Sequence, residues 1–374
     1  MLFHTQAFIL GFLPVCLAGF FLAGRLLGAD WALRWLLLAS MIFYAWWNPA
    51  HLPLLVGSVL INYAIARQIR RSGRPRAWLI VGVALNLGLL GWFKYADFLL
   101  HTLWPAAPVL GITLPLAISF FTFQQIMFLV DTAIAPDYSD TKLLPYAAFV
   151  TFFPHLIAGP IVRPAEIIPQ LANRTLARLS PANLTDGLLI FLLGLAKKLV
   201  LADMFGAFAD TGFDAAAHGA TLTFFEAWYA TLSYALQIYF DFSGYSDMAM
   251  GLARMLNVRF PLNFDSPYHS ANIAEFWRRW HITLGAFLRD YLYIPLGGNR
   301  CAPWRQAANL MATMLLAGLW HGAAWTFVLW GGLHGAYLII HRLYRQALPP
   351  LPRALGQAFT LLAVIIAWVP FRAT

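Results

Sequence analysis

The sequence predicts an all-α, polytopic integral membrane protein. Of its 374 residues, 60% are hydrophobic, 16% are aromatic and only 11% are charged, whereas soluble domains average about 25% charged residues. Apolar runs close to the length of a membrane-spanning helix recur along the whole chain. No linker rich in serine, glycine or charge separates two halves, so we expect a single membrane domain over residues 1–374.

Ten apolar stretches predict membrane helices. They lie near 7–28, 31–48, 52–68, 77–95, 112–133, 143–162, 184–204, 224–242, 308–342 and 355–371. The stretch 308–342 is too long for one crossing, so we expect a bend or two shorter segments around Gly331 and Gly332. The segment 97–108 is short and contains two prolines, so we expect it to lie in the interface or to re-enter the membrane. The chain should therefore contain about nine to eleven membrane segments.

The positive charges predict the orientation of the chain. The loop 67–76 carries five arginines and no acidic residue, so the positive-inside rule places it in the cytoplasm. In a membrane protein, the net charge of +9 indicates cytoplasmic loops and contact with anionic lipid headgroups. Because no soluble basic domain is evident, we do not expect nucleic acid binding. Cys16 and Cys301 are too far apart to suggest a disulfide framework or a zinc site.

The region 254–305 is too polar to cross a membrane and is rich in aromatic residues. It holds seven arginines against three acidic residues. Asn272 is a predicted helix N-cap, with Glu275 three residues later as in a capping box. A continuous helix from there would place Trp277 and His281 on one face. The pattern fits either an interfacial helix whose arginines reach lipid headgroups or a functional element.

His321 is the candidate general base. It interrupts a long apolar stretch within the run Gly-Leu-Trp-His-Gly-Ala-Ala-Trp over 318–325. A charged side chain inside a membrane costs about 2.5 kcal/mol or more, and imidazole avoids this cost by staying neutral, since its ordinary pKa is about 6.5. A neutral imidazole away from water can act as a general base. The alternative is a core histidine that is hydrogen-bonded to a neighbouring helix.

Four motifs occur in order along the chain. They are Phe153-Pro-His155 with Gly159-Pro160 and Arg163, Asp241-Phe-Ser-Gly-Tyr-Ser-Asp247, Phe276-Trp-Arg-Arg-Trp-His281, and Leu319-Trp-His321-Gly. Together they resemble the membrane-bound O-acyltransferases (the MBOAT family), and in particular the bacterial branch that contains alginate O-acetyltransferase. The resemblance extends from about residue 5 to the end of the chain.

The resemblance implies a fold, an activity and partners. The implied fold is a ring of membrane helices around a thinned core, with a tunnel in which an acyl donor meets a hydroxyl acceptor from the opposite side. His321 matches the catalytic histidine of the family, and His281 matches a second functional histidine. Members of this branch modify exported polysaccharides or wall polymers with the help of periplasmic acetyltransferase partner proteins, which implies a multi-pass protein of the bacterial inner membrane. Alginate-type members continue past the segment 368–372, so we expect either a short form or a chain without its C-terminal part.

The chemistry of O-acetyl transfer fits the residues of these motifs. His321 would take the proton of the acceptor hydroxyl, while His281 and Asn299 are candidates to orient the donor carbonyl. Arg278 and its arginine neighbours would hold the phosphates of the donor.

Two tryptophans, Trp277 and Trp320, complete the predicted substrate-binding set. We predict no bound cofactor and no metal, and expect acetyl-CoA or an acyl-carrier thioester as the donor. Because neither cysteine has a nucleophile-like context, direct transfer is favoured over an acyl-enzyme.

Other functions stay open on the sequence alone. Within the same chemistry, the protein could transfer D-alanyl or another acyl group to a wall polymer. From a different class, it could be a transporter or channel in which His321, His155 and Asp241 form a solute or proton path. It could also be a scaffold that recruits a separate acyltransferase. The sequence does not identify the acceptor polymer.

Overall fold

The computed structural model describes residues 1–134 and 141–373, and every regular element in those ranges is helical. This confirms the all-α prediction. The chain divides into two compact units. The first comprises residues 1–195 and 245–261, and the second comprises residues 196–244 and 262–374.

The first unit packs around a group of phenylalanine rings. Phe43 lies 5.9 Å from Phe8 and 5.5 Å from Phe153, measured between ring centroids. Two buried amides also join neighbouring helices, since Asn86 donates to Asn62 at 2.6 Å, a type of contact that ties helices together in an apolar medium. The helices of this unit are α1 (Leu13–Leu27), α2 (Ala29–Ala45), α3 (Leu52–Arg71), α4 (Pro75–Leu90), α5 (Ala96–Leu103), α6 (Ile118–Ile134), α7 (Leu143–Thr151), α8 (Phe153–Leu156), α9 (Pro164–Leu171) and α10 (Pro181–Ala196).

The second unit carries the two predicted catalytic histidines. Its helices are α11 (Asp203–Ala217), α12 (Phe224–Met255), whose last residues belong to the first unit, α13 (Ile273–Arg279), α14 (Ile282–Leu288), α15 (Pro303–His321), α16 (Trp325–Ala347) and α17 (Arg353–Arg372). Glycines bring α15 and α16 into close contact. A β-carbon on Gly318 would collide with the Phe327 carbonyl, and one on Gly331 would collide with the Met314 carbonyl. Small residues at such positions let helix backbones approach.

Four helical stretches in the described ranges are long and apolar enough to cross a membrane. They are Ala7–Leu27, Pro49–Arg71, Pro75–Leu103 and Arg353–Arg372. The total of nine to eleven segments stays a prediction. The membrane location of 97–108 likewise stays a prediction, although α4 continues through a π-helical turn at Gly91–Tyr95 into α5. The two prolines of that segment, Pro105 and Pro108, follow the end of the helix at Leu103.

Two other predicted breaks lie in the stretches 143–162 and 308–342. The prolines of the span near 143–162 do interrupt it, since α7 ends at Thr151 and the chain is non-helical between α8 and α9. The stretch 308–342 does divide into two helices, as one of the two expectations had it, but the break is not at Gly331 and Gly332. The chain instead breaks at 322–324, between α15 and α16, and Gly331 lies inside α16. Its missing side chain serves the contact with α15 rather than a bend.

The start of α13 agrees with the sequence and its end does not. The Asn272 side chain accepts the backbone N–H of Glu275 at 2.8 Å, as predicted for an N-cap. The helix does not continue to His281, however, because Trp280 is extended and His281 has left-handed backbone angles (φ 43°, ψ 55°). Trp277 and His281 therefore do not share a helical face.

Candidate active site

His321 is the last residue of α15 and lies where three helices of the second unit meet. The chain leaves the helix through Gly322, whose backbone is extended and where a β-carbon would collide with the Phe327 ring. The half-buried imidazole packs edge-on against Trp330 of α16 at 5.1 Å and Phe371 of α17 at 5.0 Å. These rings fix the position of the imidazole at a helix end rather than in mid-helix.

His281 is buried, with 1% of its surface exposed. It precedes α14, and its Nδ1 lies 3.1 Å from Oδ1 of Asn263. The ring packs edge-on against Phe242 at 4.6 Å. Its Nε2 makes no hydrogen bond to any residue of 1–134 or 141–373. His281 therefore presents one ring nitrogen that is engaged and one that is not.

Trp320 joins the two histidines. Its ring centroid lies 4.8 Å from that of His321 and 6.3 Å from that of His281. Burial, and to a smaller extent the proximity of His321, lowers the pKa of His281 well below its ordinary value. His281 lies in the connection between α12 and α15, and it is neutral at neutral pH because the charged form would be desolvated. Three of the predicted site residues thus come together in one place.

Trp277 contacts this site through Trp330. Its indole Nε1–H donates to Nδ1 of His334 at 3.3 Å, and its ring contacts Trp330 at 5.9 Å. Trp330 is fully buried and in turn contacts His321. Trp277 therefore belongs to the layer that holds Trp330 against the imidazole.

Arg278 faces a cavity of about 600 Å³ in the second unit. The cavity lies between α13, α16 and α17, and its basic residues are Arg278, His341 and Arg345. None of the described residues that line it is acidic, and neither arginine forms an ion pair within the described ranges. Along α16, Trp330 and His341 are eleven residues apart, which at 1.5 Å per residue corresponds to about 17 Å. The cavity is basic, and its residue His341 lies about three helical turns from Trp330, the α16 residue that contacts His321.

Asn299 is not brought to the histidines. It is exposed in the loop before α15, where its Oδ1 accepts the Tyr293 hydroxyl at 2.8 Å. His321 lies at the other end of this 19-residue helix, about 27 Å away at 1.5 Å per residue. Asn299 therefore has no geometric link to the predicted donor carbonyl.

Comparisons with known proteins agree with the motifs. The model of the membrane-bound O-acyltransferase family matches residues 127–369. The chain belongs to the membrane-bound O-acyltransferase family. It is 45% identical to a peptidoglycan O-acetyltransferase of Helicobacter pylori, over 100% of this chain and 77% of that protein. It is 43% identical to a probable alginate O-acetylase AlgI of Pseudomonas aeruginosa, over 100% of this chain and 72% of that protein. A teichoic acid D-alanyltransferase of Streptococcus thermophilus is 27% identical over 68% of each chain.

The chain is thus an enzyme of acyl transfer. Sequence reasoning missed three residues that shape it, namely Asn263, Trp330 and Phe371. An asparagine in a connection and aromatic residues in apolar helices carry no distinctive pattern. Only their contacts with His281 and His321 reveal their place.

Proposed function

We propose that this membrane-bound O-acyltransferase moves an acetyl group from a cytoplasmic thioester donor to a hydroxyl of an exported polysaccharide, directly or through a periplasmic partner protein. The single observation that carries the proposal is that the rings of His281 and His321 both pack against the ring of Trp320. In a bacterium, donor and acceptor of this kind are separated by the inner membrane, where a multi-pass enzyme would act.

His321 is the proposed general base. The acceptor oxygen attacks the thioester carbonyl carbon while its proton passes to the imidazole of His321. The carbon–sulfur bond then breaks, the acetyl group stays on the oxygen, and protonated His321 returns the proton to the thiolate. Trp330 and Phe371 pack edge-on against the ring and against each other, which holds the imidazole in one orientation through the cycle.

The cavity of Arg278 is the proposed site for the phosphate end of the donor. Arg278 and Arg345 face it without a carboxylate to neutralise them, and guanidinium groups bind phosphate with two parallel hydrogen bonds. CoA and a carrier-bound phosphopantetheine arm both have a thioester at one end and phosphate at the other. Trp330, which contacts His321, and His341 in the cavity are about 17 Å apart along α16, a separation that suits such an extended molecule.

The acceptor is proposed from the relatives. Relatives named as O-acetyltransferases or O-acetylases are 40–45% identical over the full length of this chain, whereas those named as D-alanyltransferases are 24–27% identical over part of it. This difference favours acetyl transfer, with D-alanyl transfer to a wall polymer as the second candidate. Alginate-like polysaccharide and peptidoglycan are the acceptors to test first.

The test compares the wild type with His321→Ala in cells and in purified form. O-acyl groups on extracted envelope polymers are measured with and without each gene product, and acetyl-CoA consumption is measured with the enzyme in nanodiscs. The matched control is His269→Ala, because His269 is exposed and lies outside the group of rings around His321. We expect His321→Ala to abolish transfer and His269→Ala to retain it. Transfer by His321→Ala above a small fraction of the wild-type rate would refute the general-base assignment.

A further inference from the structure

Asn263 is the centre of a buried hydrogen-bond group in the second unit. It is fully buried, and three donors converge on its Oδ1. The His281 ring nitrogen Nδ1 lies at 3.1 Å, the Thr283 hydroxyl at 2.9 Å and the Thr283 backbone nitrogen at 3.3 Å. The backbone carbonyl of Asn263 also accepts the N–H of Ile282 at 2.9 Å. Asn263 therefore forms hydrogen bonds to His281 and to the two residues that follow it in the turn.

These contacts determine which nitrogen of His281 carries the proton. A backbone N–H can only donate, so the Asn263 atom that faces the Thr283 nitrogen must be the amide oxygen. The His281 nitrogen that faces the same oxygen must then donate as well, which makes it Nδ1–H. In a neutral ring, Nε2 is left with the lone pair.

The backbone of His281 supports a functional reason for this arrangement. Its φ of 43° lies in the left-handed region, which non-glycine residues rarely adopt and which occurs at active sites when the surroundings enforce it. Here the enforcing contacts come from Asn263, through its side chain to His281 and through its carbonyl to Ile282. The strained turn and the fixed tautomer have the same origin.

We propose that Asn263 is the positioning residue of the acyl-transfer site, holding His281 as the Nδ1–H tautomer so that Nε2 serves as a hydrogen-bond acceptor. The inference rests on the proposed function, in which His281 and His321 act in one site. It changes the role expected for His281, because a ring nitrogen with a lone pair cannot donate to the donor carbonyl. The arrangement resembles a catalytic triad, in which a hydrogen-bond partner selects the tautomer of the histidine. Replacing that partner greatly lowers kcat.

The first test measures kinetics and their pH dependence in three variants. Asn263→Ala removes the acceptor for Nδ1–H, and we expect kcat to fall about tenfold or more with the donor KM changed less than about twofold. Asn263→Asp keeps the acceptor and adds a negative charge, which favours protonated His281. It should move the acidic limb of the pH profile to higher pH. Thr313→Val is the matched control, because it removes a buried threonine hydroxyl of the same unit that donates to the Asn309 carbonyl at 2.7 Å; its kcat should stay within a few-fold of wild type.

The second test needs no activity. In ¹⁵N-histidine-labelled protein, the His281 signals are assigned by comparison with His281→Asn, and the nitrogen shifts report which ring nitrogen is protonated. We expect Nδ1–H in the wild type and in Asn263→Asp, and a shift toward Nε2–H in Asn263→Ala. An Nε2–H wild type, or an unchanged kcat and pH profile in both Asn263 variants, would overturn the inference.

The two readouts separate this inference from the proposed function. A wild type with the Nδ1–H tautomer but no acyl transfer would contradict the proposed function alone. An inactive His321→Ala together with fully active Asn263 variants would contradict only the role of Asn263. If Asn263→Ala does not fold, as judged by its thermal melting, Asn263→Asp carries both tests.

Discussion

Removing the guanidinium of Arg278 tests the proposed donor site most directly. Arg278 shares its cavity with Arg345 and His341, so Arg278→Ala should weaken the hold on a phosphate-bearing donor without changing the chemistry at His321. A hydrogen bond to a charged group contributes about 1.5–3 kcal/mol, but Arg278 is exposed and solvent reduces such contributions to about 1 kcal/mol. The donor KM should therefore rise about fivefold, while kcat should change little.

The assay compares two donors of different length with a fixed acceptor. With acetyl-CoA, Arg278→Ala should show the increase in KM, and Arg278→Lys should recover only part of the loss because an ammonium group lacks the two-pronged geometry. With acetyl-pantetheine, which has no phosphate, Arg278→Ala should match the wild type. Arg300→Ala is the control, because Arg300 is also an exposed arginine but lies in the loop before α15.

An equal loss with both donors would refute this reasoning. It would mean that Arg278 does not recognise phosphate and instead anchors the protein at the lipid headgroups, as the arginine-rich region 254–305 allows. An unchanged KM for acetyl-CoA in the double variant Arg278→Ala/Arg345→Ala would be equally decisive against the site.

Three further predictions concern packing, pH and orientation. Gly331→Leu should destabilise the protein and lower its activity, because its β-carbon would meet the Met314 backbone, whereas Gly332→Ala should be nearly neutral, since its β-carbon meets only a Leu315 methyl group at 3.7 Å; melting curves of the pair check this. Because burial lowers the pKa of His281, the unfolded chain binds a proton that the folded one does not, and the free energy of unfolding should fall as pH drops below about 6.5, by at most about 1.4 kcal/mol per pH unit. The decline should be shallower in His281→Asn. In a chain without its native cysteines, Ser72→Cys and His269→Cys should both resist a membrane-impermeant thiol reagent added outside intact cells, and labelling of both would overturn the cytoplasmic assignment of the arginine-rich segments.

The parts of the fold that follow local rules could be predicted from the sequence. Long apolar runs gave the membrane-type helices, and an asparagine three residues before a glutamate gave the start of α13. Breaks that depend on distant contacts could not be predicted. The left-handed turn at His281 exists because Asn263, 18 residues earlier, binds both the ring and the next backbone N–H. Gly331 suggested a bend, but its role is set by the carbonyl of a neighbouring helix.

The candidate site was predictable to a similar degree. The motifs placed His281, His321 and Trp320 in one function, and the structure brings them together. Asn299, the other candidate to orient the donor carbonyl, does not lie beside them, because nearness in sequence to α15 says nothing about which end of that helix carries the site. Likewise, nothing in the sequence indicated that Arg278 would share a cavity with His341 and Arg345.

Helix α16 connects the two halves of the proposed donor site. Its first turns hold Trp330 against His321, and its later turns carry His341 and Arg345 into the basic cavity. Because a helix is stiff, it fixes the spacing of about 17 Å between Trp330, which contacts His321, and His341 in the cavity. A donor must then be extended for its phosphate to bind in the cavity while its thioester lies at His321. A donor that reaches only one of these places lacks either the phosphate contact or the reaction. The glycine contact between α15 and α16 fixes His321 relative to this helix. Gly331→Leu should therefore lower kcat as well as stability, whereas Arg278→Ala should act on donor affinity alone.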